Sequence, residues 1–147
     1  MCTVSSLPLG DHKLTVHICY EDVIPSFVNA MMRTEPGNLL INITNDAWFG
    51  DSTEPWIHLA LSKFRAIEQR RFLARSTNSG VSAIIDPVGR VVRHTETFRE
   101  QAVHAQIAWL DGRTPYNLWG DAPWWLATAV IVAMGFVSRK KRSATPT

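Results

Sequence analysis

The sequence predicts an α/β domain built on a mixed sheet and followed by one transmembrane helix. Short β-branched and apolar runs alternate with longer segments of helical periodicity, which is typical of parallel strands joined by helices. A pair of such runs linked by a turn adds an antiparallel hairpin. Near the end, residues 123–138 contain no charged side chain. The 147 residues suit one domain with enough chain to bury a core.

Five segments have the composition of strands. They are short, rich in Val, Ile and Leu, and bounded by polar or turn-forming residues. The second is a short apolar run, best interpreted as a buried parallel strand, and the turn Asp86-Pro87-Val88-Gly89 joins the third and fourth into a hairpin. The predicted strands cover residues 13–19, 39–44, 81–85, 90–94 and 102–110.

Two segments have helical periodicity. Residues 23–33 carry apolar side chains at helical spacing, with Pro25 in the first turn, where a missing N–H is tolerated. Residues 54–75 form the longest periodic segment, and its broad apolar face predicts a helix covered on much of its circumference. We expect its arginines to form ion pairs on a solvated face, and His58 to form a surface pair with Glu54 rather than a metal site. These arginines are Arg65, Arg70, Arg71 and Arg75.

The uncharged stretch predicts a membrane span. A span needs about 20 apolar residues, with a working range of roughly 17–25, so residues from Leu118 onward must contribute. Tryptophans lie at one end, as in an interfacial belt, and a basic cluster at 139–142 lies at the other, where cytoplasmic anchors occur. The alternative is a buried core helix, which needs no basic cluster. The predicted organisation is a globular domain at 1–110, a linker at 111–117, a transmembrane helix at 118–138 and a basic cytoplasmic tail at 139–147.

Charge and cysteine content exclude several function classes. The formal charge is +2, but the basic cluster supplies four positive charges, which leaves 11 Lys and Arg against 13 Asp and Glu elsewhere. Nucleic acid is therefore not an expected partner. Two cysteines make no disulfide framework, and the sequence shows no metal-ligand signature or phosphate-binding glycine loop, so no metal or cofactor is expected. The first strand begins soon after Met1 with no secretory signal, which suggests a fragment of a longer protein.

The triplet Cys19-Tyr20-Glu21 follows the first predicted strand and is the strongest candidate for a catalytic site. The thiolate form of cysteine is the nucleophile, so Cys19 needs a base or a cation nearby. Glu21 would point to the same side as Cys19 in a strand, but a carboxylate at this position also caps a following helix. Composition and spacing alone favour a buried structural cysteine over a nucleophile.

Four motifs in order change this interpretation. They are Ile18-Cys19-Tyr20-Glu21-Asp22, Asn45-Asp46-Ala47-Trp48-Phe49-Gly50, Arg65-Ala66-Ile67-Glu68 and Arg75-Ser76-Thr77-Asn78-Ser79-Gly80. In this combination the chain resembles the carbon–nitrogen hydrolase (nitrilase) superfamily, and within it the apolipoprotein N-acyltransferases of bacteria. The resemblance extends from about Lys13 to Arg142. It implies the C-terminal half of a nitrilase-like αββα sandwich, with helices 23–33 and 54–75 covering the sheet.

The resemblance also implies a role for each matching residue. Cys19 is expected to be the nucleophile, which takes an acyl chain from a phospholipid as a thioester and passes it to a lipoprotein's N-terminal amine. The backbone N–H of Tyr20 is expected to help hold the oxyanion of the tetrahedral intermediate, and Glu21 to maintain the site. The loop residues expected to bind substrate, with the aromatic rings against acyl chains, are Asn45, Asp46, Trp48 and Phe49.

The implied partners are a phospholipid acyl donor, a lipoprotein acceptor and the membrane. The implied location is the bacterial inner membrane, with the globular part on its periplasmic side. The family's triad is Glu–Lys–Cys, and its Glu and Lys lie upstream of the cysteine strand. Lys13 begins that strand and cannot replace the lysine, so we do not expect the chain to turn over alone. Two alternatives stay open: a nitrilase-type amidohydrolase, in which water resolves the thioester, and a non-catalytic membrane-anchored fragment.

Overall fold

The computed structural model describes residues 6–143 and is built around one six-stranded sheet. The strands lie in chain order across the sheet, and the central three, β2 to β4, are parallel. The outer strands pair antiparallel with their neighbours. This arrangement confirms the predicted α/β class with a mixed sheet. The strands are β1 (Leu7–Leu9), β2 (His12–Ile18), β3 (Leu39–Thr44), β4 (Phe72–Thr77), β5 (Ala83–Ile85) and β6 (Val91–His94).

Four α-helices and two short 3₁₀ turns complete the described chain. Helix α1 joins β2 to β3 and α2 joins β3 to β4, and the two helices contact each other, so they cover the same face of the sheet. The 3₁₀ turn Cys19–Val23 directly follows β2, and the turn Ala47–Phe49 begins three residues after the end of β3. The helices are α1 (Pro25–Thr34), α2 (Glu54–Gln69), α3 (Pro115–Trp119) and α4 (Ala122–Ser143).

The core lies between the sheet and the two covering helices. Alternation along each strand sends every second side chain towards the helices, so Leu40 and Leu73 are fully buried. The opposite face of the sheet is more open at its carboxyl edge, where Ile18 and Ile43 are 65% and 53% exposed. The buried cluster consists of Val28, Met32, Leu40, Leu59, Ala66, Leu73, Val81, Ala83 and Ile85.

The predicted helix over 54–75 is wrong in its last part. Helix α2 ends at Gln69, because Arg70 takes a left-handed conformation with φ 50° and reverses the chain. Phe72–Thr77 then pairs with β3 as a parallel strand. The apolar residues between 72 and 74 fit both a helix and a buried strand, and the available partner strand decides between them.

The predicted strand over 102–110 does not form. Residues 101–110 have no regular secondary structure and belong to no strand of the described chain. The segment returns to the start of β2, where Trp109 stacks on His12 with 4.3 Å between ring centroids. The Asn38 side chain donates to the carbonyl of Leu110 at 3.4 Å and fixes its end. Alternating half-burial along this segment explains the strand-like sequence pattern.

The segment 118–138, which we expected to form one membrane helix, belongs to two helices, α3 and α4. Leu118 and Trp119 end α3, and Gly120, with φ 55°, separates it from α4. Within residues 6–143, no helix combines the length and the hydropathy that crossing a membrane requires. The transmembrane helix is therefore not confirmed. Cys2 and the side chains of the predicted basic tail lie outside the described residues.

Helix α3 is attached to the domain by three buried amides. The Asn117 side chain donates to Asn29 Oδ1 at 3.0 Å and to Gln69 Oε1 at 3.1 Å, and Gln69 also donates to Asn29 at 3.2 Å. Thr114 caps the helix, since its hydroxyl accepts from the Asn117 N–H at 2.9 Å. This cluster fixes the point at which α4 leaves the domain.

Candidate active site

Cys19 lies at a sharp turn at the end of β2. The strand ends at Ile18, and Cys19 has φ 54°, a left-handed conformation that non-glycine residues rarely adopt. The chain then enters the 3₁₀ turn Cys19–Val23, which we call the elbow. Cys19 is half-buried and its thiol is free. The elbow lies at the carboxyl edge of the parallel strands, where sites of open α/β sheets are found.

Hydrogen bonds from three directions hold the elbow. Asn42 on β3 donates its side-chain amide to the Cys19 carbonyl at 3.0 Å. The Glu21 carboxylate accepts from the Ile18 N–H at 2.7 Å, and the Glu21 carbonyl accepts from the Ile24 N–H at 3.2 Å. Glu21 therefore closes the turn with both its side-chain carboxylate and its backbone carbonyl.

The side chain of Tyr20 extends from the elbow towards α2. Its ring stacks on the His58 imidazole, with 4.2 Å between centroids and 17° between planes. The Phe49 ring is 6.0 Å away and tilted by 59°, and the Tyr20 hydroxyl donates to the Glu54 carboxylate. The structure thus brings together Tyr20 and Phe49, two residues that the sequence predicted for the site.

The predicted substrate-binding residues lie on the loop after β3, three of them at the surface and one in the interior. Trp48 is 85% exposed and Phe49 is 38% exposed, so both rings are accessible beside the elbow. Asn45 is exposed, and its side chain accepts from the Ala47 N–H at 3.0 Å, which shapes the turn. Asp46 is different: it is 1% exposed and its carboxylate points into the protein.

A buried ionic cluster lies directly beneath the elbow. Two carboxylates, of Asp22 and Asp46, face the His58 imidazole and the Arg75 guanidinium, and all four side chains are fully buried. Asp22 lies 2.9 Å from His58 Nε2 and 3.2 Å from Arg75 Nη1. Asp46 lies 3.2 Å from His58 Nδ1 and 3.0 Å from Arg75 Nη2. The Ser62 hydroxyl also donates to Asp22.

The cluster is balanced in charge when His58 is protonated. Burial lowers the pKa of His58, but hydrogen bonds to Asp22 and Asp46 outweigh it and raise the pKa to about 9. Burial alone would raise the pKa of Asp46, yet the hydrogen bond from His58 and the charge of Arg75 hold it below its ordinary value. Two carboxylates and two cations therefore compensate each other in an interior that would not tolerate any of them alone.

The expected solvated face of arginines is wrong, and so is the surface pair at His58. Of the four arginines, Arg70 alone is exposed, while Arg65, Arg71 and Arg75 are at most 4% exposed. Several polar side chains of α2 point inwards beside Leu59 and Ala66, and many of its apolar ones point outwards, so its amphipathicity is partly inverted. The inward side chains include His58, Ser62, Arg65 and Gln69, and the outward ones Trp56, Ile57, Leu61, Phe64 and Ile67.

A signal for this inversion exists in the sequence. The spacing of His58, Ser62, Arg65 and Gln69 follows one side of a helix as closely as the apolar residues do. Periodicity shows that two faces differ, but it does not show which one is inside. The role of Arg75 was not predicted, because the predicted helix over 54–75 includes this residue, whereas the structure places it in β4.

His17 is a second buried titratable group near the elbow. It lies on β2 two residues before Cys19, is fully buried, and neither ring nitrogen has a hydrogen-bond partner. Burial lowers its pKa to about 4, so the ring is neutral at ordinary pH. Across residues 6–143, no three His, Cys, Asp or Glu side chains are grouped to hold a metal ion.

The sequence profile of the carbon-nitrogen hydrolase family matches residues 2–112, three quarters of the chain. This chain belongs to the carbon–nitrogen hydrolase family. The Cys19 elbow lies within the matched range, and the predicted superfamily resemblance is confirmed.

Relatives named apolipoprotein N-acyltransferase match most of the chain. That of Methylococcus capsulatus is 37% identical over 139 residues, which cover 95% of this chain and 27% of the relative. That of Nitrosomonas europaea is 40% identical over 116 residues, which cover 79% of this chain and 23% of the relative. This carbon–nitrogen hydrolase chain therefore spans about a quarter of the length of these relatives.

Solved structures of an amidase from Nesterenkonia sp. AN1 have a similar fold. One of them superposes with a TM-score of 0.52 at 25% identity, over 63% of this chain and 38% of the amidase. In that structure acrylamide has added to the active-site cysteine of the amidase. The similarity supports the nitrilase-like α/β fold with a mixed sheet for this chain.

Proposed function

We propose that this chain carries the nucleophile of an apolipoprotein N-acyltransferase, with Cys19 as the residue that becomes acylated. The observation that carries the proposal is the elbow: a free, half-buried thiol on a left-handed residue at the carboxyl edge of parallel strands. The names of the relatives supply the substrate class. Acyl donor and acceptor are then a phospholipid and the N-terminal amine of a diacylglyceryl-cysteine lipoprotein.

The reaction has two balanced steps. The Cys19 thiolate attacks the ester carbonyl of the phospholipid, the ester C–O bond breaks, and the acyl chain stays on sulfur as a thioester. The alkoxide takes one proton from water and leaves as the lysophospholipid. The lipoprotein amine then attacks the thioester carbonyl and loses one proton, the C–S bond breaks, and Cys19 returns as thiolate. Both steps pass through a tetrahedral oxyanion, for which the Tyr20 N–H is the proposed donor.

Exposed apolar side chains around the elbow suit an acyl chain. Trp48, Phe49, Ile18 and Ile43 are between 38% and 85% exposed. Burial of apolar area provides about 25 cal/mol per Å², so a long acyl chain laid against such a surface is held without any polar contact. Asn45 orders the loop that carries Trp48, and Asp46 supports it from below.

Helix α4 is the proposed lipid-contacting element. Its side chains from Ala122 to Phe136 are exposed throughout, and they include Trp124, Trp125, Leu126, Ile131 and Met134. An exposed apolar surface of this extent marks an interaction site. We propose that it contacts the bacterial inner membrane, with the globular part on the periplasmic side.

The test uses an activated ester, because the leaving group then needs no proton from a catalytic acid. The chain is incubated at pH 8 with p-nitrophenyl octanoate and its mass is measured. One octanoyl group per chain is expected, with loss of the adduct in Cys19→Ala and retention in the matched control Cys2→Ala. No adduct on Cys19 would favour a non-catalytic fragment.

A nitrilase-type amidohydrolase is the second candidate, favoured by the fold similarity to the Nesterenkonia amidase. The two functions differ in what resolves the thioester. When the octanoylated chain is given a peptide with a diacylglyceryl-cysteine N-terminus in detergent, an acyltransferase yields the N-octanoyl peptide. Release of free octanoate at the same rate with and without the peptide would favour the amidohydrolase.

A further inference from the structure

The backbone of Cys19 is held in a conformation that a non-glycine residue does not keep by itself. Its φ of 54° places the backbone in the left-handed region, where Cβ is crowded by the neighbouring carbonyl. Such a residue persists only where the surroundings over-determine it. The contacts that reach the Cys19 backbone from other elements are therefore the ones that set the direction of its thiol.

Asn42 makes such a contact, and its orientation is unambiguous. Arg75 Nη1 lies 2.8 Å from Asn42 Oδ1, and a guanidinium can only donate, so this atom of the amide must be the oxygen. The amide nitrogen is then the atom 3.0 Å from the Cys19 carbonyl, to which it donates. Arg75 thus selects the amide orientation that can hold the elbow.

Arg75 is in turn fixed by the ionic cluster. Its two terminal nitrogens lie 3.2 Å from Asp22 and 3.0 Å from Asp46. Asp22 belongs to the elbow itself, three residues after Cys19. The contacts therefore form a closed ring: from Cys19 through the turn to Asp22, across to Arg75, on to Asn42, and back to the Cys19 carbonyl.

We infer that Asn42 and Arg75 are positioning residues, which act through the Cys19 carbonyl to hold the elbow in its acyl-accepting geometry. This inference rests on the proposed function of Cys19 as an acylated nucleophile. Neither side chain needs to touch substrate. They act by aligning the Cys19 sulfur with the backbone N–H of Tyr20, the proposed donor to the oxyanion.

Two reactions of the same thiol separate positioning from simple access. Alkylation by iodoacetamide displaces iodide at carbon and forms no oxyanion, whereas acylation by p-nitrophenyl octanoate forms one. Both rates are measured at pH 8 in a Cys2→Ser background, so that Cys19 is the sole thiol. Asn42→Asp replaces the donor to the Cys19 carbonyl with a carboxylate oxygen. Gln106→Glu, the same change at an exposed side chain, is the matched control.

Asn42→Asp is expected to slow acylation by about tenfold or more, because it misplaces the sulfur relative to the oxyanion donor. It is expected to slow alkylation by less than about twofold, because that reaction forms no oxyanion. Arg75→Lys, which keeps the charge but frees the Asn42 amide, is expected to act in the same direction. Gln106→Glu should change neither rate. An equal fall of both rates in Asn42→Asp would overturn the inference, since it would show a role in access or stability only.

A second measurement keeps the inference testable if the proposed function fails. With [1-¹³C]cysteine in the Cys2→Ser background, one labelled carbonyl reports the hydrogen bond from Asn42. Its resonance should shift in Asn42→Asp and Arg75→Lys, and stay in Gln106→Glu. Alkylation without acylation of the unaltered chain overturns the proposed function, while an unchanged carbonyl resonance overturns the positioning role.

Folding of the variants is checked by circular dichroism and cooperative thermal unfolding. If Asn42→Asp does not fold, Asn42→Ala takes its place, because it removes the donor without adding a charge. Loss of the fold in both variants would also overturn the inference, because Asn42 would then support the fold as a whole rather than the elbow.

Discussion

The imidazole of His58 lies parallel to the phenol ring of Tyr20, with 4.2 Å between their centroids. Tyr20 directly follows Cys19, and His58 belongs to the ionic cluster beneath the elbow. A protonated imidazole against the face of an aromatic ring is an attractive arrangement. The charge state of the ionic cluster is therefore linked to Tyr20, whose backbone N–H is the proposed donor to the oxyanion.

The first prediction concerns alkaline pH and His58. Its folded pKa of about 9 lies above the ordinary histidine pKa of 6.5, so the folded state binds the proton more tightly than the unfolded state. The stabilisation is complete below pH 6.5 and is lost as the pH rises through about 9. We expect the free energy of unfolding to fall by about 3 kcal/mol over this range, measured by urea denaturation.

The control for this prediction is the loss of the same titration. In His58→Gln the decrease between pH 6.5 and 9 should disappear, whereas His104→Gln, at an exposed position, should retain it. A decrease of equal size in His58→Gln would assign it to other groups.

The second prediction concerns the charge balance of the cluster. Asp22→Asn removes one carboxylate and leaves His58 and Arg75 with a single buried anion between them. Breaking a buried ion pair in this way costs about 3–5 kcal/mol. We expect a loss of this size in urea unfolding at pH 7, against less than about 0.5 kcal/mol for Asp51→Asn, whose side chain is exposed.

The third prediction concerns acid pH and His17. Its folded pKa of about 4 lies below the ordinary histidine pKa of 6.5, so the unfolded state binds the proton first as the pH falls. The contribution to stability is complete above pH 6.5 and is lost as the pH falls through 6.5 towards 4. We expect His17→Leu to reduce the loss of unfolding free energy between pH 7 and 4 by about 3 kcal/mol.

His94→Gln serves as the comparison for His17, because its side chain is exposed. In His94→Gln the loss of unfolding free energy between pH 7 and 4 should equal that of the unaltered chain. If His17→Leu lost stability with falling pH as steeply as the unaltered chain, the buried ring would not be the titrating group.

The fourth prediction concerns the close approach of Gly80 to the cluster. A Cβ at Gly80 would lie 2.7 Å from Cβ and 2.8 Å from Cγ of Asp46. Asp46 cannot move aside without leaving His58 and Arg75. Gly80→Ala should therefore lower the thermal unfolding midpoint by several degrees, corresponding to about 1–3 kcal/mol of overpacking.

Gly135→Ala is the matched control for Gly80. It lies within α4, and a Cβ there would meet no atom within 4 Å. Alanine is favoured over glycine inside a helix by about 0.5–1 kcal/mol, so no loss of stability is expected. A midpoint equal to that of the unaltered chain in Gly80→Ala would show that Asp46 can give way.

The sequence by itself determined the α/β class, the mixed sheet and the position of Cys19, the proposed nucleophile, at the end of a strand. Those features rest on local patterns: β-branched runs of strand length, a two-residue period, and a cysteine at the end of such a run. The strand at Leu39–Thr44 has the predicted limits for this reason. The family followed from four short motifs, which are local as well.

The tertiary structure alone decided which face of α2 is buried and what the arginines do. The helix carries polar side chains at one helical spacing and apolar side chains at another. Only packing against Asp22, Asp46 and β4 shows that His58, Ser62, Arg65 and Gln69 lie inside, beside Leu59 and Ala66. Arg75 joined β4 because a neighbouring strand offered backbone partners, and no local pattern contains that information. Charges separated by 53 residues, Asp22 and Arg75, meet only once the sheet has formed, because ion pairing acts through space and not along the chain.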